Sequence, residues 1–380
     1  MKNDKIKILV APNSLKGSLS AFEFADVVEK AFRRVSSVFE VRKVPVADGG
    51  DFTGEILKQA FKASPVEVKV KDPLGRTVTS KYFKAGRTAI VEMADASGIK
   101  YLKQHELNPM MTSSYGTGEL ITAAIEAGCT EILLGVGGSA TVDGGTGMMQ
   151  ALGFRFRDNR GNYVEGNGGN LSRISTIEKS KWPEVVSIKI ITDVDNTLLG
   201  ANGAASVFGP QKGATPNQVV KLEEGMTQWC HLIEKDISKK LSDIKGSGAA
   251  GGVTVPLLAW TNAELVSGAA FILSILDFEK HIAWADLVIT GEGRIDVQTL
   301  NNKAPKAVAD AAHKAGKPVM GVGGAIDPQV LTLFSAGAFS FVNGPLTLDD
   351  AIDNAAVYLE SFSEQLAKLL LVSWKSSRSL

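Results

Sequence analysis

The 380-residue sequence has few cysteines and few aromatic residues, and its opposite charges balance. Its two cysteines, Cys129 and Cys230, are too few for a disulfide framework and are typical of a reducing compartment. Lys plus Arg and Asp plus Glu each number 41, and no basic block stands among aromatic residues. This balance argues against nucleic acid or a membrane surface as the main partner. A small-molecule ligand is favoured.

Long hydrophobic runs are also missing. No apolar stretch reaches the roughly 18 residues of a membrane span, and the first apolar run is too short for a secretory signal. We therefore expect a cytoplasmic protein with no membrane partner. The chain is 44% hydrophobic and longer than one core usually supports, which predicts two domains. The oligomeric state is left open, with a homodimer as one option.

Glycines and aspartates are present in groups, at the ends of apolar runs. Five segments show this pattern: ADGGDFTGE (47–55), GVGGSATVDGGTG (135–147), ITDVDNTLLG (191–200), GSGAAGG (246–252) and VITGEGRID (288–296). A glycine loop lets backbone N–H groups approach an anion, and a carboxylate beside it needs a cation or a proton. The pattern predicts a phosphate and a divalent metal.

Both ends of the chain alternate between strand and helix patterns. The apolar run 6–12 leads through a loop to a helix predicted over 21–35, which the capping-box pair Ser20 and Glu23 opens. A strand, a helix and a strand follow the same order later, at 285–290, 303–316 and 317–324. Alternating units of this kind predict a parallel sheet covered on both faces.

The middle of the chain has a different pattern. Residues 66–94 alternate at period two around a DPLG turn, which predicts antiparallel strands. We therefore predict an inserted mixed α/β domain over 63–279, between the two halves of the first domain, 1–62 and 280–380.

Three residues near the N-terminus are candidates for the site. Lys16 lies in the loop before the first helix, where it could contact a phosphate or carboxylate or simply be a solvated lysine. Asp48 and Asp51 flank two glycines before a helical pattern. Two carboxylates there could share magnesium or hold a substrate hydroxyl, although turn and N-cap roles are equally ordinary.

Asp193 and Asp195 end the strand-like run VSIKIITD and are the strongest candidates. The carboxyl ends of strands are where α/β sheets bind ligands. Their spacing would let one carboxylate hold metal while the other accepts a proton from a hydroxyl, with an Asx turn as the alternative. Glu292, Arg294 and Asp296 form a similar group, in which Arg294 could instead pair with its acidic neighbours.

The segment 135–147 also supports a rival function. Gly135, Gly137 and Ala140 fit G-x-G-x-x-A after a strand, and Asp158 lies 21 residues beyond Gly137, as in a dinucleotide site. Three further glycines fall where that fingerprint needs a helix, each at a cost of about 1 kcal/mol relative to alanine. A loop that holds an oxyanion fits the glycines better, and a purely structural loop remains open.

Seven segments in order resemble the bacterial glycerate kinase family, type I. They are APNSLKGSLSA (11–21), VADGGDFTGE (46–55), SYGTGELI (114–121), GVGGSATVDGGTGM (135–148), VFGPQKGAT (207–215), GSGAAGG (246–252) and DLVITGEGRIDVQTL (286–300). The chain departs from the family pattern at Asn13, Phe52 and Val297, where Asp, Gly and a small residue are usual. These departures affect substrate preference more than reaction class.

The resemblance implies transfer of the γ-phosphoryl group of ATP to D-glycerate with Mg2+, with the 2-hydroxyl a better candidate than the 3-hydroxyl. It implies an α/β fold of two domains: a flavodoxin-like parallel-sheet domain made of both chain ends, and an inserted domain likened to the restriction-enzyme fold. The active site is expected in the cleft between them.

The site residues follow from the charge that phosphoryl transfer must neutralise. Magnesium is assigned to Asp193 and Asp195 with help from Asp48, and activation of the hydroxyl to Asp51 or Asp193. Lys16 and Arg294 neutralise charge. The remaining residues are assigned to ATP or the glycerate carboxylate: Gly137, Gly138, Ser139, Thr141, Gly291 and Glu292. A nicotinamide-dependent hydroxy-acid oxidoreductase and a non-catalytic binding protein are the alternatives.

Overall fold

The computed structural model describes residues 5–50, 52–300 and 303–376. Its strands are β1 (Ile6–Val10), β2 (Phe39–Lys43), β3 (Ser64–Lys71), β4 (Thr77–Ala85), β5 (Thr88–Glu92), β6 (Glu131–Gly135), β7 (Arg155–Arg157), β8 (Thr176–Glu178), β9 (Ser187–Thr192), β10 (Asn262–Ser267), β11 (Leu287–Ile295), β12 (Val319–Ile326) and β13 (Ala338–Ser340).

Its α-helices are α1 (Ala21–Val35), α2 (Thr53–Phe61), α3 (Ala94–Ser97), α4 (Tyr115–Glu126), α5 (Thr146–Ala151), α6 (Ala204–Phe208), α7 (Pro216–Ile237), α8 (Thr254–Trp260), α9 (Gly268–Ile275), α10 (Phe278–Trp284), α11 (Ala304–Lys314), α12 (Leu348–Asp353) and α13 (Ala355–Ser376).

The chain divides into two compact units. Unit 1 comprises Met1–Phe52 and Gly268–Leu380, and unit 2 comprises Thr53–Ser267. Unit 2 thus begins and ends somewhat earlier in the chain than the predicted insertion of 63–279. The α/β class with parallel and mixed sheets is confirmed.

Unit 1 is built on a five-stranded parallel sheet in the order β13-β12-β11-β1-β2. The predicted capping box is present at α1, where the Ser20 hydroxyl accepts from Glu23 N and the Glu23 carboxylate accepts from Ser20 N. The apolar stripe of α1 packs with α13 over one face of the sheet, and α10 and α11 cover the other. This places polar loops at the sheet's ends.

Unit 2 is built on a six-stranded mixed sheet in the order β10-β9-β6-β5-β4-β3. The strands β3, β4 and β5 form the predicted antiparallel meander, whereas β5, β6, β9 and β10 are parallel. Buried side chains of α4, α7 and α8 make up much of its core, with Trp229 the largest fully buried side chain. A short β7–β8 ribbon stands apart from this sheet.

Both cysteines are buried and neither forms a disulfide. Among the residues that the structure describes, no helix is both long and apolar enough to cross a membrane.

Candidate active site

In unit 1, loops after neighbouring strands meet beside the C-terminal half of β11. Asn13 N donates to the Gly291 carbonyl at 2.8 Å, and Val46 N donates to the Pro12 carbonyl at 2.9 Å. The segment after β1 is therefore held between β11 and the segment that leads to Asp48. This arrangement collects several of the predicted residues at the carboxyl edge of the sheet, where α/β proteins bind ligands.

Asp48 lies buried at this edge and interacts with polar groups on both sides. Its carboxylate accepts hydrogen bonds from the Asn13 side-chain amide at 3.3 Å and from Gly50 N at 3.2 Å, and it is 3.4 Å from Lys303 Nζ. An aspartate at position 13 would instead bring two carboxylates together. Asp51, the other candidate in this segment, lies outside the described residues.

Glu292 of unit 1 is a titratable group in a strongly altered environment. Burial raises the pKa of Glu292 to about 7, and repulsion from Asp48 and Asp296 adds to this effect. The Thr299 hydroxyl, which donates to the carboxylate at 2.7 Å, and the charge of Lys303 act in the opposite direction. A carboxyl group with a pKa near 7 can exchange a proton at neutral pH.

The two predicted cations of unit 1 differ in their surroundings. Lys16 is exposed beside Gly17, whose φ is +78°, and it has no hydrogen-bond or ion-pair partner among the described residues. Arg294 is also exposed, but it pairs with Asp296 at 3.1 Å. Gly291 has a packing role, since a Cβ there would lie 1.9 Å from the Val322 carbonyl of β12.

In unit 2, four neighbouring parallel strands end at one edge of the sheet. Gly135 at the end of β6 pairs with Ile191 of β9, and Thr192 of β9 pairs with Ser267 of β10. The start of the glycine loop and Asp193 therefore lie at the same edge.

The two aspartates after β9 have different partners. Ser267 Oγ donates to Asp193 Oδ1 at 2.8 Å. Asp195 is more exposed and pairs with Lys245 Nζ at 3.0 Å.

The first part of the glycine loop offers hydrogen-bond donors. Within the described chain, the N–H groups of Gly137, Gly138 and Ser139 have no acceptor. Gly138 has a φ of +66°, which glycine adopts without strain. The hydroxyl of Thr141 is buried and has no hydrogen-bond partner in the described part of the chain. Successive open amides of this kind are typical of anion sites.

The second part of the loop is structural. Asp143 is fully buried, and its carboxylate accepts from Ser114 N and Ser114 Oγ at 2.7 Å each, from Gly145 N at 3.1 Å and from Gly147 N at 3.3 Å. Burial raises the pKa of Asp143, and these four donors oppose the shift. Gly144 has no room for a side chain, because a Cβ would lie 2.5 Å from Trp229.

The GSGAAGG segment supports the same loop. Gly251 O accepts from Gly144 N at 2.9 Å, and a Cβ on Gly251 would lie 2.1 Å from the Thr141 carbonyl. Gly246 N and Gly248 N donate to the Asn196 carbonyl. This segment therefore holds the glycine loop and the segment after Asp195 in place.

The donors present fit magnesium with few protein ligands. No group of three or more His, Cys, Asp or Glu side chains placed to hold a metal occurs in the ranges that the structure describes. Magnesium does not need one, since it commonly takes one or two carboxylates together with phosphate oxygens and water. Asp193 and Asp195 in unit 2 and Asp48 in unit 1 offer such carboxylates.

Comparisons with known proteins agree over nearly the whole chain. The model of the glycerate kinase family matches residues 8–371. The chain belongs to this family. It is 42% identical to a glycerate kinase of Bacillus subtilis, with 95% of this chain and 97% of the relative covered. It is 39% identical to a glycerate 2-kinase of Escherichia coli, with 98% and 100% covered.

A solved crystal structure gives the same result. This chain matches a candidate glycerate kinase 2 from Salmonella typhimurium LT2 with a TM-score of 0.82 and 41% identity, covering 99% of this chain and 100% of that one. The resemblance seen in the sequence is confirmed, and the chain is an enzyme of the glycerate kinase family.

The nicotinamide alternative is not supported. The helix that the dinucleotide fingerprint requires does not begin until Thr146, because Gly144 and Gly145 adopt left-handed φ values of +57° and +73°. Asp158, the expected ribose ligand, accepts instead from Arg160 N and Asn162 N in its own turn. The spacing matched the fingerprint, but the backbone does not follow it.

Lys212 was not predicted as a site residue, although it lies in the family segment VFGPQKGAT. This lysine is 3% exposed, and its Nζ donates to Ser139 Oγ and to the Thr141 carbonyl. No local pattern identifies a buried lysine, because burial depends on the packing of distant segments.

Glu292 should make the stability of this enzyme depend on pH. In the folded state its pKa lies above the ordinary value of 4.5. Between pH 4.5 and about 7, the folded chain therefore binds a proton at Glu292 that the unfolded chain has lost. The free energy of unfolding should therefore fall as pH rises through this window. Urea denaturation at pH 5 and pH 8 measures the effect. In Glu292→Gln the difference in the free energy of unfolding between these two pH values should be smaller by about 2 kcal/mol.

The matched control is Glu40→Gln, because Glu40 is exposed on β2. This variant should keep the pH dependence of the unaltered enzyme. Identical curves for the unaltered enzyme and Glu292→Gln would contradict the assignment.

Proposed function

We propose that the enzyme transfers the γ-phosphoryl group of ATP to the 2-hydroxyl of D-glycerate, forming 2-phosphoglycerate and ADP. The main support is the edge of unit 2, where Asp193 and a loop of open amides lie at the ends of neighbouring strands. Phosphoryl transfer requires chiefly positioning and neutralisation of charge, and this edge offers both. The 2-position is supported by the relative named glycerate 2-kinase.

Each unit has its own part in the proposal. In unit 2, the amides of 137–139 with Ser139 and Thr141 hold a substrate oxyanion, either phosphate or the glycerate carboxylate. Asp193 and Asp195 would hold Mg2+, which when bound neutralises charge on the phosphates. The assignment of Asp48 to Mg2+ stays a prediction.

Unit 1 supplies the remaining groups of the proposal. Lys16 and Arg294 neutralise charge, and Gly291 and Glu292 lie beside the nucleotide. The proton of the attacking hydroxyl is accepted either by Asp51 of this unit or by Asp193 of unit 2. The exposure of Lys16 supports its part, because its ammonium group is accessible to a ligand.

The finer description of the folds belongs to the same proposal. In unit 1 the sheet order β2-β1-β11-β12-β13, counted within the unit, is 2-1-3-4-5, the order of flavodoxin-like sheets. We take unit 1 as the flavodoxin-like domain and unit 2 as the inserted domain likened to the restriction-enzyme fold. A homodimer and a cytoplasmic location stay predictions.

Phosphorus NMR of the reaction products tests the proposed activity. Purified enzyme with ATP, Mg2+ and D-glycerate should yield ADP and the resonance of 2-phosphoglycerate. A control without glycerate should leave the ATP unchanged over the same period. The resonance of 3-phosphoglycerate would contradict the position assigned, and unchanged ATP in the complete mixture would contradict the activity.

A further inference from the structure

Lys212 is a buried cation that has no role in the function proposed above. It lies just after α6, is 3% exposed, and donates to Ser139 Oγ at 2.8 Å and to the Thr141 carbonyl at 2.7 Å. Burial lowers the pKa of Lys212 to about 7, and the negative charge of Asp143 opposes the shift. A lysine in such an environment is unfavourable for stability, which suggests a function.

The bond to Lys212 determines what the Ser139 hydroxyl can do. An ammonium group has only donors, so Ser139 Oγ must accept from it, and the hydroxyl hydrogen of Ser139 remains to be donated elsewhere. Among the described residues no acceptor receives that hydrogen. The N–H groups of Gly137, Gly138 and Ser139 are open in the same way.

An independent observation points to a ligand at this place. The hydroxyl of Thr141, two residues beyond Ser139, is fully buried and makes no hydrogen bond to any residue that the structure describes. Buried hydroxyls almost always have a partner, so an unsatisfied one in the same loop as the open N–H groups of 137–139 indicates a missing polar group. The group that fits several N–H and O–H donors backed by a cation is an oxyanion.

We propose that Lys212 is a positioning residue that turns the Ser139 hydroxyl toward a substrate oxyanion and places a positive charge behind the loop. The inference rests on the proposed function, in which the oxyanion is either the carboxylate of glycerate or a phosphate of ATP. Lys212 acts through Ser139 and the loop, because its own Nζ is already bonded to Ser139 Oγ and the Thr141 carbonyl.

Steady-state kinetics of Lys212→Met, Ser139→Ala and the double variant test the inference. Loss of one hydrogen bond to a charged group should raise the KM of one substrate by about 10- to 100-fold in each single variant. The KM of the other substrate should stay within about threefold. A rise for D-glycerate identifies the carboxylate, and a rise for ATP identifies a phosphate. The rise in the double variant should be smaller than the product of the two single rises, since Lys212 acts in part through the Ser139 hydroxyl.

The pH profile separates positioning from a merely structural role. Nζ of Lys212 faces Ser139 and Thr141 in the glycine loop and the Phe208 ring of α6 at 6.0 Å, and Asp143 is the charged group that acts on it. Above about pH 7 a neutral amine can accept the Ser139 hydrogen and turn it from the substrate. The affected KM should therefore rise with pH in the unaltered enzyme and stay flat in Ser139→Ala.

Ser139→Ala and one further variant, Lys240→Met, keep the test decisive. Ser139→Ala retains the bond from Lys212 to Thr141 and can be measured even where Lys212→Met does not fold. Lys240→Met is the control, because Lys240 is an exposed lysine of unit 2 paired with Asp243, and it should leave both KM values unchanged. An active unaltered enzyme with threefold or smaller changes in Ser139→Ala would overturn this inference alone. An inactive unaltered enzyme would instead overturn the proposed function.

Discussion

Replacing Asp193 by asparagine is expected to lower kcat by about 1,000-fold. The side chain follows β9 at the carboxyl edge of four parallel strands, and Ser267 holds one of its oxygens at 2.8 Å. Asparagine keeps the shape and the bond to Ser267, but it removes the charge that would hold a divalent cation or accept a proton. The change should therefore affect turnover far more than folding, measured as ADP release at saturating ATP, Mg2+ and D-glycerate.

The matched control is Asp243→Asn, an exposed aspartate of unit 2 that pairs with Lys240. It should leave kcat within about twofold, because exposed ion pairs contribute little. Asp195→Asn should lower kcat by a factor between those of Asp193→Asn and Asp243→Asn, since the Asp195 carboxylate is half exposed and already paired with Lys245. Full turnover by Asp193→Asn would remove both the metal and the base assignment from this residue.

The elements that follow local rules could be predicted from the sequence. The pair Ser20 and Glu23 marks the start of α1, and period-two alternation marks the antiparallel strands β3 and β4, because both signals act over a few residues. The order of the strands in unit 2 could not be predicted. The neighbours β6 and β9 are separated by a long stretch of chain, and pairing over that distance depends on the whole core.

The same distinction applies to the candidate site. Aspartates next to glycines at strand ends could be found because both residue types are tied to a local turn. The burial of Lys212 and of the Asp143 carboxylate could not be predicted, since it depends on distant helices. Phe52 is an intermediate case. The sequence showed a non-glycine residue in a glycine-rich segment, and the structure places it at a φ of +64°, at a cost of about 1–2 kcal/mol.

Replacing Asp143 by alanine is expected to lower the free energy of unfolding by about 3–5 kcal/mol. The change removes an acceptor for four hydrogen bonds and leaves the N–H groups of Ser114, Gly145 and Gly147 without a partner in a place that water does not reach. Asp158→Ala is the matched control, because Asp158 also accepts from backbone N–H groups, but in a turn whose other residues, 159–162, are exposed, so that water can replace its carboxylate. Its loss should be about 1 kcal/mol or less.

Urea denaturation followed by tryptophan fluorescence measures both losses, since Trp229 Nε1 donates to the Gly144 carbonyl in the same loop. Equal losses in the two variants would contradict the prediction, because burial would then not explain why the stability of this loop depends on the Asp143 carboxylate.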